Sequence, residues 1–155
     1  MIILNATDDF QKQFFMTLAE KVLDRMMSRD AFSKWMGLEI ESVGAGTCKL
    51  KFVVKPEMLN GFDIIHGGVV FAASDSAFAF ACNSHGRIAV ALDVAITFTK
   101  SAKVGDALYV EATEQYLGNK TSLYEIKTLN EAGELVAVFK GTAYRTSRPV
   151  IEGIS

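Results

Sequence analysis

The feature that most limits how this chain can fold is a run of apolar residues between positions 67 and 82. Its centre reads VVFAASDSAFAFAC and carries a single charged residue, Asp75, among alanines and phenylalanines. Asn83 and Gly86 follow, residue types that tolerate the left-handed backbone found where helices end. The run is shorter than the roughly 20 apolar residues that cross a bilayer. We therefore predict a helix that is apolar on nearly every side and that the rest of the protein must enclose.

The segments around this helix show the alternation that is typical of β-strands. Period-two runs rich in β-branched and aromatic residues occupy positions 36–43, 48–54, 88–99, 107–116, 121–129 and 135–144. Turn sequences such as Gly44-Ala45-Gly46-Thr47 and Gly118-Asn119-Lys120 separate them. The order of elements predicts an α+β domain in which a long curved antiparallel sheet wraps around a central helix.

A second helix is predicted at the N-terminus. Apolar residues recur with helical spacing through positions 7–28, where Thr7 or Asp8 can cap the helix. Such an amphipathic helix is expected to pack over another part of the fold. We accordingly expect a helical extension at 1–30, the main domain at 31–148 and a C-terminal tail at 149–155.

Composition excludes several classes of function. A length of 155 residues with 50% apolar content suits one domain with its own core. The net charge of −2 argues against a nucleic-acid partner, because phosphate backbones select strongly basic surfaces. The two cysteines and two histidines lack zinc-ligand spacing, so we expect no metal and a reducing, cytoplasmic location. The acidic N-terminal segment is not typical of a secretory signal, and no membrane association is expected.

Residues that could carry chemistry concentrate between Asn60 and Asp75. Gly67 and Gly68 precede the central helix, so their N–H groups can converge on a carbonyl oxygen, although paired glycines also simply let a helix approach a sheet. Asp75 loses hydration in such a helix unless something offsets the loss. A function, hydrogen bonds to serine or backbone groups, and a water-filled cleft beside a partly exposed helix all stay open as interpretations. Asn60 can donate from its side chain or only shape a turn. Together these are the parts of an acyl-transfer site.

The remaining candidates are weaker. His66 is interpreted chiefly as a residue that shapes the turn before the helix, although it can also act as a base. His85 is expected in an exposed loop, and Cys82, which has no adjacent base, is interpreted as buried apolar filler. Basic residues at strand ends and loops can cradle phosphates if they converge, or they are simply solvated. These residues are Lys100, Lys103, Lys120, Arg145 and Arg148.

Three sequence motifs resemble those of the hotdog-fold thioesterases, particularly the phenylacetate-degradation (PaaI-like) subgroup. They are Leu59-Asn60-Gly61, His66-Gly67-Gly68 and the segment SDSAFAFACNS at 74–84. The similarity continues through Thr97-Phe98-Thr99-Lys100, Val104-Gly105-Asp106 and Gly141-Thr142-Ala143-Tyr144-Arg145, so it covers 31–148. The resemblance implies a hotdog fold and an acyl-CoA thioesterase that hydrolyses the thioester bond of an acyl- or aryl-acyl-CoA.

The same resemblance implies roles for individual residues. Asp75 is expected to be the nucleophile or general base, the Gly67 amide to bind the thioester oxygen, and Asn60 and His66 to shape a site shared between two subunits. The candidates for binding substrate are Gly68, Lys100, Asn119, Lys120 and Arg145. Coenzyme A is part of the substrate, so no separate cofactor is expected. A homodimer is the minimal unit, and a homotetramer is the expected assembly.

One position departs from the pattern of the family. Where some relatives place a hydroxyl residue to orient water, this chain has Ala91, with Asp93 or Thr97 as substitutes. Two other functions compete with hydrolysis: a non-catalytic acyl-CoA-binding module and a hotdog dehydratase. Turnover separates the first from an enzyme, and the second requires a working Asp–His pair.

Overall fold

The computed structural model describes residues 15–153. Its α-helices are α1 (Leu18–Met27), α2 (Ala31–Met36) and α3 (Gly67–Asn83), and a short 3₁₀ helix spans Pro56–Met58. None of the helices in this range is long and apolar enough to cross a membrane.

The strands form one antiparallel sheet. They are β1 (Glu39–Gly44), β2 (Thr47–Val53), β3 (Arg87–Phe98), β4 (Ala107–Leu117), β5 (Thr121–Asn130) and β6 (Leu135–Pro149). The six strands lie in the order β1-β2-β4-β5-β6-β3, so β1 and β3 are the two edges. The chain therefore crosses the whole sheet between β2 and β3, and α3 makes that crossing.

The sheet encloses α3, as the sequence predicts. Helix α3 contacts every strand of the sheet. The face of the helix that carries Val70, Ala73, Ala77 and Phe80 is fully covered, each of these residues being no more than 1% exposed. The wrapped arrangement is the hotdog fold, and the α+β prediction is confirmed. The opposite face of the helix is only partly covered, since Gly68 is exposed and Ala72, Asp75 and Ala79 keep intermediate exposure. Contact with the sheet explains the apolar composition of the buried faces.

The N-terminal helix differs from the prediction of one continuous helix over 7–28. Positions 7–14 lie outside the described residues. In the described range, helix α1 begins at Leu18. Thr17 is its N-cap: the Thr17 hydroxyl accepts from the Glu20 N–H at 3.2 Å, and the Glu20 carboxylate accepts from the Thr17 N–H at 2.7 Å. This reciprocal pair satisfies two N–H groups at a helix start.

Helix α2 was missed by the sequence analysis, which places the first strand at 36–43. Asp30 caps α2 by accepting from the Ser33 N–H at 2.9 Å. Gly37 ends it with a φ of 76°, a left-handed conformation that glycine adopts at low cost. The strand β1 therefore starts only at Glu39. Helix α2 has only six residues, fewer than two turns, so no helical period shows in its sequence.

Strand β6 is longer than predicted, ending at Pro149 rather than at position 144. Its added part pairs with the start of β3, where Arg87 lies opposite Pro149. Side chains support this pairing: the Arg87 Nε donates to the Thr146 carbonyl at 2.8 Å, and the Thr146 hydroxyl donates to the Ile88 carbonyl at 2.7 Å. The polar composition after Tyr144 hid the strand.

A glycine in β6 lies directly against helix α3. A Cβ atom at Gly141 would lie 2.8 Å from Cζ of Phe78 on α3. The Phe78 ring cannot easily yield, because it packs against Tyr124 and Phe139 with ring centroids 5.5 and 5.8 Å away. Position 141 therefore has room only for hydrogen.

We predict that Gly141→Ala lowers the free energy of unfolding by about 1–3 kcal/mol, the usual cost of overpacking a core. Urea denaturation followed by circular dichroism measures the loss. Gly61→Ala is the matched control, because a Cβ there meets nothing within 4 Å. If contact with the Phe78 ring causes the loss of stability, Gly141→Ala should destabilise the protein less when Phe78 is also replaced by leucine. An equal loss of stability in both backgrounds would contradict this explanation.

Both cysteines lie in the core rather than at a reactive site. Cys48 and Cys82 are 3% and 2% exposed, in agreement with the interpretation of Cys82 as buried filler. Burial raises the pKa of each thiol to about 12. Since the thiolate is the reactive form, both groups are held in the unreactive state at neutral pH.

We predict that the folded protein reacts only slowly with a thiol reagent at pH 8, where a thiol of this pKa is ionised in roughly one molecule in 10⁴. In guanidinium chloride both cysteines should react promptly. The variants Cys48→Ala and Cys82→Ala assign each reaction to its residue. Rapid labelling of either thiol in the folded protein would disprove the prediction.

Candidate functional site

The start of α3 is shaped by His66. Its Nδ1 accepts a hydrogen bond from the Gly68 N–H at 2.8 Å, so His66 is the N-cap of the helix. The His66 N–H in turn donates to the Met58 carbonyl at 2.8 Å. An imidazole that accepts at Nδ1 carries its proton on Nε2, which leaves an N–H donor on the exposed side of the ring.

Only one of the two glycine amides remains available for a ligand. The Gly68 N–H is used by the His66 cap, whereas the Gly67 N–H has no acceptor among residues 15–153. The expected convergence of both amides on one oxygen is therefore wrong within this chain. Gly67 alone presents an unpaired donor at the positive end of a helix.

Asn60 is both a turn residue and a potential donor. Its Oδ1 accepts from the Phe62 N–H at 2.9 Å and more weakly from the Ile64 N–H at 3.5 Å. Its amide nitrogen, Nδ2, has no partner in the described part of the chain. The carbonyl half of the side chain thus builds the loop while the NH₂ half stays free, so the two interpretations of Asn60 are compatible.

Asp75 lies in the middle of α3, half-buried, with no hydrogen bond or ion pair to any residue in 15–153. Burial raises the pKa of its carboxyl above the ordinary value for aspartate. No counter-charge or hydrogen bond offsets this loss of hydration. Asp75 does not bond to the neighbouring serines, so the interpretation of this carboxylate as a packing device is not supported. A titratable group whose pKa is shifted by uncompensated burial is typical of a functional site.

The unpaired carboxylate and the unpaired amide are too far apart to act together within one protomer. Gly67 and Asp75 are eight residues apart on one helix, and a rise of 1.5 Å per residue separates them by about 12 Å along the axis. A reacting carbonyl group needs both partners within about 3 Å. One protomer therefore contains the parts of an acyl-transfer site without the assembled site.

An apolar depression lies beside the Gly67 amide. It has a volume of about 350 Å³ and is lined by residues from the loop before α3, the helix and the end of β3: Ile64, Ile65, Gly67, Val70, Phe98, Thr99, Lys100 and Ser101. A Cβ at Gly67 would lie 3.1 Å from Cζ of Phe98, so the ring contacts the glycine directly. Phe98 belongs to a motif of the sequence that assigns it no role. Its inward position follows from its pairing opposite buried Ala137.

The residues proposed to replace the missing hydroxyl do not face the helix. Ala91 pairs with Ala143, and Ile96 pairs with Phe139, both partners being fully buried. Cross-strand partners share a face of the sheet, so Ala91 lies on the inner face. Asp93 pairs with Thr142 and Thr97 with Val138, which puts both on the outer face. A bulge between Ala91 and Asp93 produces this change of face.

The basic residues do not form one cluster in the protomer. Lys100 follows β3 and pairs with Glu134 at 2.6 Å. Arg145 lies opposite Ala89 near the start of β3, and its N–H donates to the Lys120 carbonyl at 2.8 Å. Eleven residues of extended chain, from Ala89 to Lys100, separate the two ends by roughly 35 Å.

The end of the sheet that holds Arg145 includes a residue that the sequence analysis overlooked. Arg87 donates to the Asn119 Oδ1 at 3.4 Å and so joins the candidates Asn119, Lys120 and Arg145. Arg145 itself is 8% exposed and donates to the Gly118 carbonyl. No motif marks Arg87, and only the pairing of β3 with β6 brings it here.

His85 is not the exposed loop residue that was expected. Its Nε2 lies 2.6 Å from the Glu114 Oε2, and its side chain is only 18% exposed. The same oxygen accepts from the Tyr124 hydroxyl at 2.6 Å. The pair does not belong to a metal centre, because within 15–153 no three or more His, Cys, Asp or Glu side chains are placed to hold an ion. Tertiary contact with β4, invisible in the local sequence, buries this turn.

Comparison with known proteins points to one family. A profile of the thioesterase superfamily matches residues 62–137. The acyl-coenzyme A thioesterase PaaI of Escherichia coli is 38% identical over 77% of this chain and 86% of its own length. A relative from Archaeoglobus fulgidus is 42% identical over 84% of both chains.

Solved structures agree with the sequence comparison. The E. coli PaaI structure superposes with a TM-score of 0.84 at 35% identity, covering 85% of this chain and 96% of that one. A Streptococcus mutans protein bound to acetyl CoA superposes with a TM-score of 0.70 at 26% identity, covering 72% and 90%. With the fold and the motif residues at the start and middle of α3, these matches show that the chain belongs to the thioesterase superfamily and is a PaaI-like thioester hydrolase.

Proposed function

We propose that this protein is an acyl-CoA thioesterase whose active site forms between two protomers. One protomer supplies Asp75, and the other supplies the Gly67 amide and the Asn60 side-chain NH₂. The observation that carries the proposal is the pair of unpaired groups on α3, a half-buried carboxylate and a free amide, held about 12 Å apart on the same helix. A second copy brings the two kinds of group together.

The chemistry follows from the charges that develop at a thioester carbonyl. Asp75 either attacks the carbonyl carbon or takes a proton from an attacking water. The oxygen becomes negative and is stabilised by the N–H of the partner subunit's Gly67 at the positive end of its helix. The C–S bond then breaks, and the thiolate of coenzyme A receives a proton, from Asp75 where the carboxylate acted as base and from water where it attacked. In the latter route the acyl group is left on Asp75 as a mixed anhydride, which a water molecule then hydrolyses. The products are a carboxylic acid and free coenzyme A.

Strand β3 supports the pairing of two protomers. It is an edge strand of twelve residues, so one side of its backbone has no neighbour in the sheet. Leu92, in the bulge of this edge, is 62% exposed, and Val90 and Phe98 are also exposed. A long apolar edge is a template for pairing with another strand. Two β3 strands related by a twofold axis would continue the sheet from one protomer into the next.

Antiparallel pairing of two β3 strands would also bring basic residues of the two protomers close together. Under a twofold axis, the end of β3 in one protomer lies beside the start of β3 in its partner. Lys100 of one chain then approaches the end that carries Arg87, Lys120 and Arg145 of the partner subunit. Together these residues can bind the phosphates of coenzyme A. The binding of acetyl CoA by the S. mutans relative supports a coenzyme A ester as the ligand.

The outer face of the sheet supports the further pairing of dimers into a tetramer. Exposed apolar residues from four strands lie next to one another there, with Val90 opposite Tyr144 and Tyr116 opposite Leu123. Such a contiguous patch on a sheet face is typical of an interaction surface. We propose the homotetramer as the working assembly.

The geometry favours hydrolysis over dehydration. A dehydratase needs an imidazole that can accept a proton, whereas Nδ1 of His66 is occupied by the Gly68 N–H at 2.8 Å. The nitrogen that remains, Nε2, is a donor. It suits polarisation of a carbonyl oxygen or orientation of water rather than removal of a proton.

We predict that Asp75→Asn lowers kcat at least about 10²-fold, because the amide can neither attack nor accept a proton. Release of thiol from acyl-CoA measures turnover, and Asp24→Asn, an exposed acid on α1, is the control. Undiminished turnover by Asp75→Asn rejects the mechanism. A non-catalytic binding module would instead bind acyl-CoA without releasing thiol from the unaltered protein.

The same variant should be more stable than the parent at neutral pH. Because burial raises the pKa of Asp75 in the folded state, its ionisation costs stability as pH rises from the ordinary aspartate pKa through the raised one. Asparagine removes that cost, so the thermal midpoint should rise at pH 7 and the gain should shrink below the ordinary aspartate pKa. A lower midpoint at pH 7 would contradict the account of Asp75 as an uncompensated charge.

A mixing experiment tests whether the site is shared. Asn60→Asp keeps the Oδ1 acceptor that builds the loop and removes the Nδ2 donor, so it should impair hydrolysis without unfolding the turn. Co-expression of Asp75→Asn with Asn60→Asp chains should restore about a quarter of the parental activity, since half of random dimers are mixed and each has one intact site. The double variant mixed with Asp75→Asn is the control. No recovery in the first mixture would place the site within one chain.

A further inference from the structure

We propose that Ser74 and Ser76, the serines that flank Asp75, are positioning residues that fix the rotation of α3 about its own axis. They hydrogen-bond to different elements on different sides of the helix and so hold Asp75 toward the subunit interface. This inference rests on the catalytic role proposed for Asp75.

The need for such a device comes from the composition of α3. Along its length the helix presents small or apolar side chains in almost every direction, with alanines at positions 72, 73, 77, 79 and 81. Apolar burial is non-directional, and small side chains such as alanine oppose rotation of the helix only weakly. Buried polar contacts are directional and can select one rotation.

The first contact joins α3 to the sheet. The Ser74 hydroxyl lies 3.3 Å from the hydroxyl of Thr128 on β5. Both residues are fully buried, so water does not compete for either group. Loss of this bond in such a site leaves a hydroxyl unsatisfied, which makes the bonded rotation favourable relative to others.

The second contact joins α3 to helix α2 on another side. The Ser76 hydroxyl lies 3.3 Å from that of Ser33. Ser33 donates its own proton to the Asp30 carboxylate at 2.6 Å, so the Ser76 hydroxyl must be the donor in the contact with Ser33. Asp30 also accepts from the Ser33 N–H at 2.9 Å, which makes the receiving oxygen part of a rigid cap.

The placement of the two contacts explains their effect on Asp75. Successive residues of a helix are about 100° apart, so Ser74 and Ser76 point about 200° apart with Asp75 between them. A carboxylate about 6 Å from the helix axis moves about 1 Å when the helix rolls by about 10°. A misplacement of about 1 Å at a reacting group can lower a rate about 10²-fold. Contacts on both sides of Asp75 oppose rolling in either direction.

The test compares variants that keep or remove one hydroxyl. Thr128→Val preserves shape and removes the group that Ser74 meets, whereas Thr128→Ser keeps it. We expect Thr128→Val and Ser33→Ala each to lower kcat about tenfold, with KM within about twofold, and Thr128→Ser to retain the parental kcat. Thr113→Val, an exposed threonine on β4, is the matched control. Assays are run well below the thermal midpoint of every variant.

A second measurement is independent of turnover. Carbon-13 NMR titration of the Asp75 carboxyl reports its surroundings in the parent and in each variant. A helix free to roll lets the carboxylate turn toward water, so the raised pKa of Asp75 should fall toward the ordinary value in Thr128→Val and stay raised in Thr128→Ser.

The outcomes separate this inference from the proposed function. Equal kcat in Thr128→Val and the parent, or equal losses in Thr128→Val and Thr128→Ser, overturn the positioning role while leaving thioester hydrolysis intact. If the parent shows no turnover, the proposed function fails, and the NMR titration still decides: an Asp75 pKa that is the same in all variants overturns the positioning role.

Discussion

The rest of this structure depends on holding one carboxylate, Asp75, on the partly exposed face of a helix that is otherwise buried. A helix as apolar as α3 is stable only when other elements cover it, and the curved sheet provides that cover along its length. At Phe78 the side-chain ring packs directly against Gly141 of β6, where there is room only for hydrogen. Asp75 loses part of its hydration in this environment. No hydrogen bond or opposite charge from residues 15–153 offsets that loss.

The connection that α3 makes also determines which surfaces remain for assembly. Because the helix carries the chain from β2 to the far edge of the sheet, β3 is left without a neighbour on one side. The helix start, with its unpaired Gly67 amide, and the end of β3, with Phe98, meet at one depression. Enclosing the helix and exposing an edge for a second copy are thus two results of the same topology.

The sequence predicted the structure well wherever buried residues recur at the regular spacing of a helix or a strand. The all-round apolar character of α3 and the alternation along the sheet strands predicted the architecture and most strand positions, and Asn60, Gly67 and Asp75 stood out by residue type. It was a poor guide where a few specific hydrogen bonds decide the structure. The short helix α2 depends on the cap by Asp30 and the left-handed Gly37, and the end of β6 on contacts of Arg87 with Thr146.

The site shows the same division between pattern and contact. That His66 would use the Gly68 amide, leaving only that of Gly67, follows from a ring orientation that no spacing encodes. The distance between Lys100 and Arg145 follows from strand pairing, and the burial of His85 from Glu114 on a distant strand. Residue types indicated which groups can react, whereas pairing decides which of them can meet.

The cap at His66 and the clamp at Asn83 have a consequence for how the chain can change in length. Asn83 joins α3 to the following strand through its side chain, accepting from the Ala89 N–H at 2.9 Å and donating to the Ala89 carbonyl at 3.0 Å. A single inserted residue between these two ends would turn everything beyond it by about 100° and push it about 1.5 Å along the axis. Deletions and insertions should therefore accumulate in the hairpin loops of this lineage, while the spacing from His66 to Asn83 stays constant.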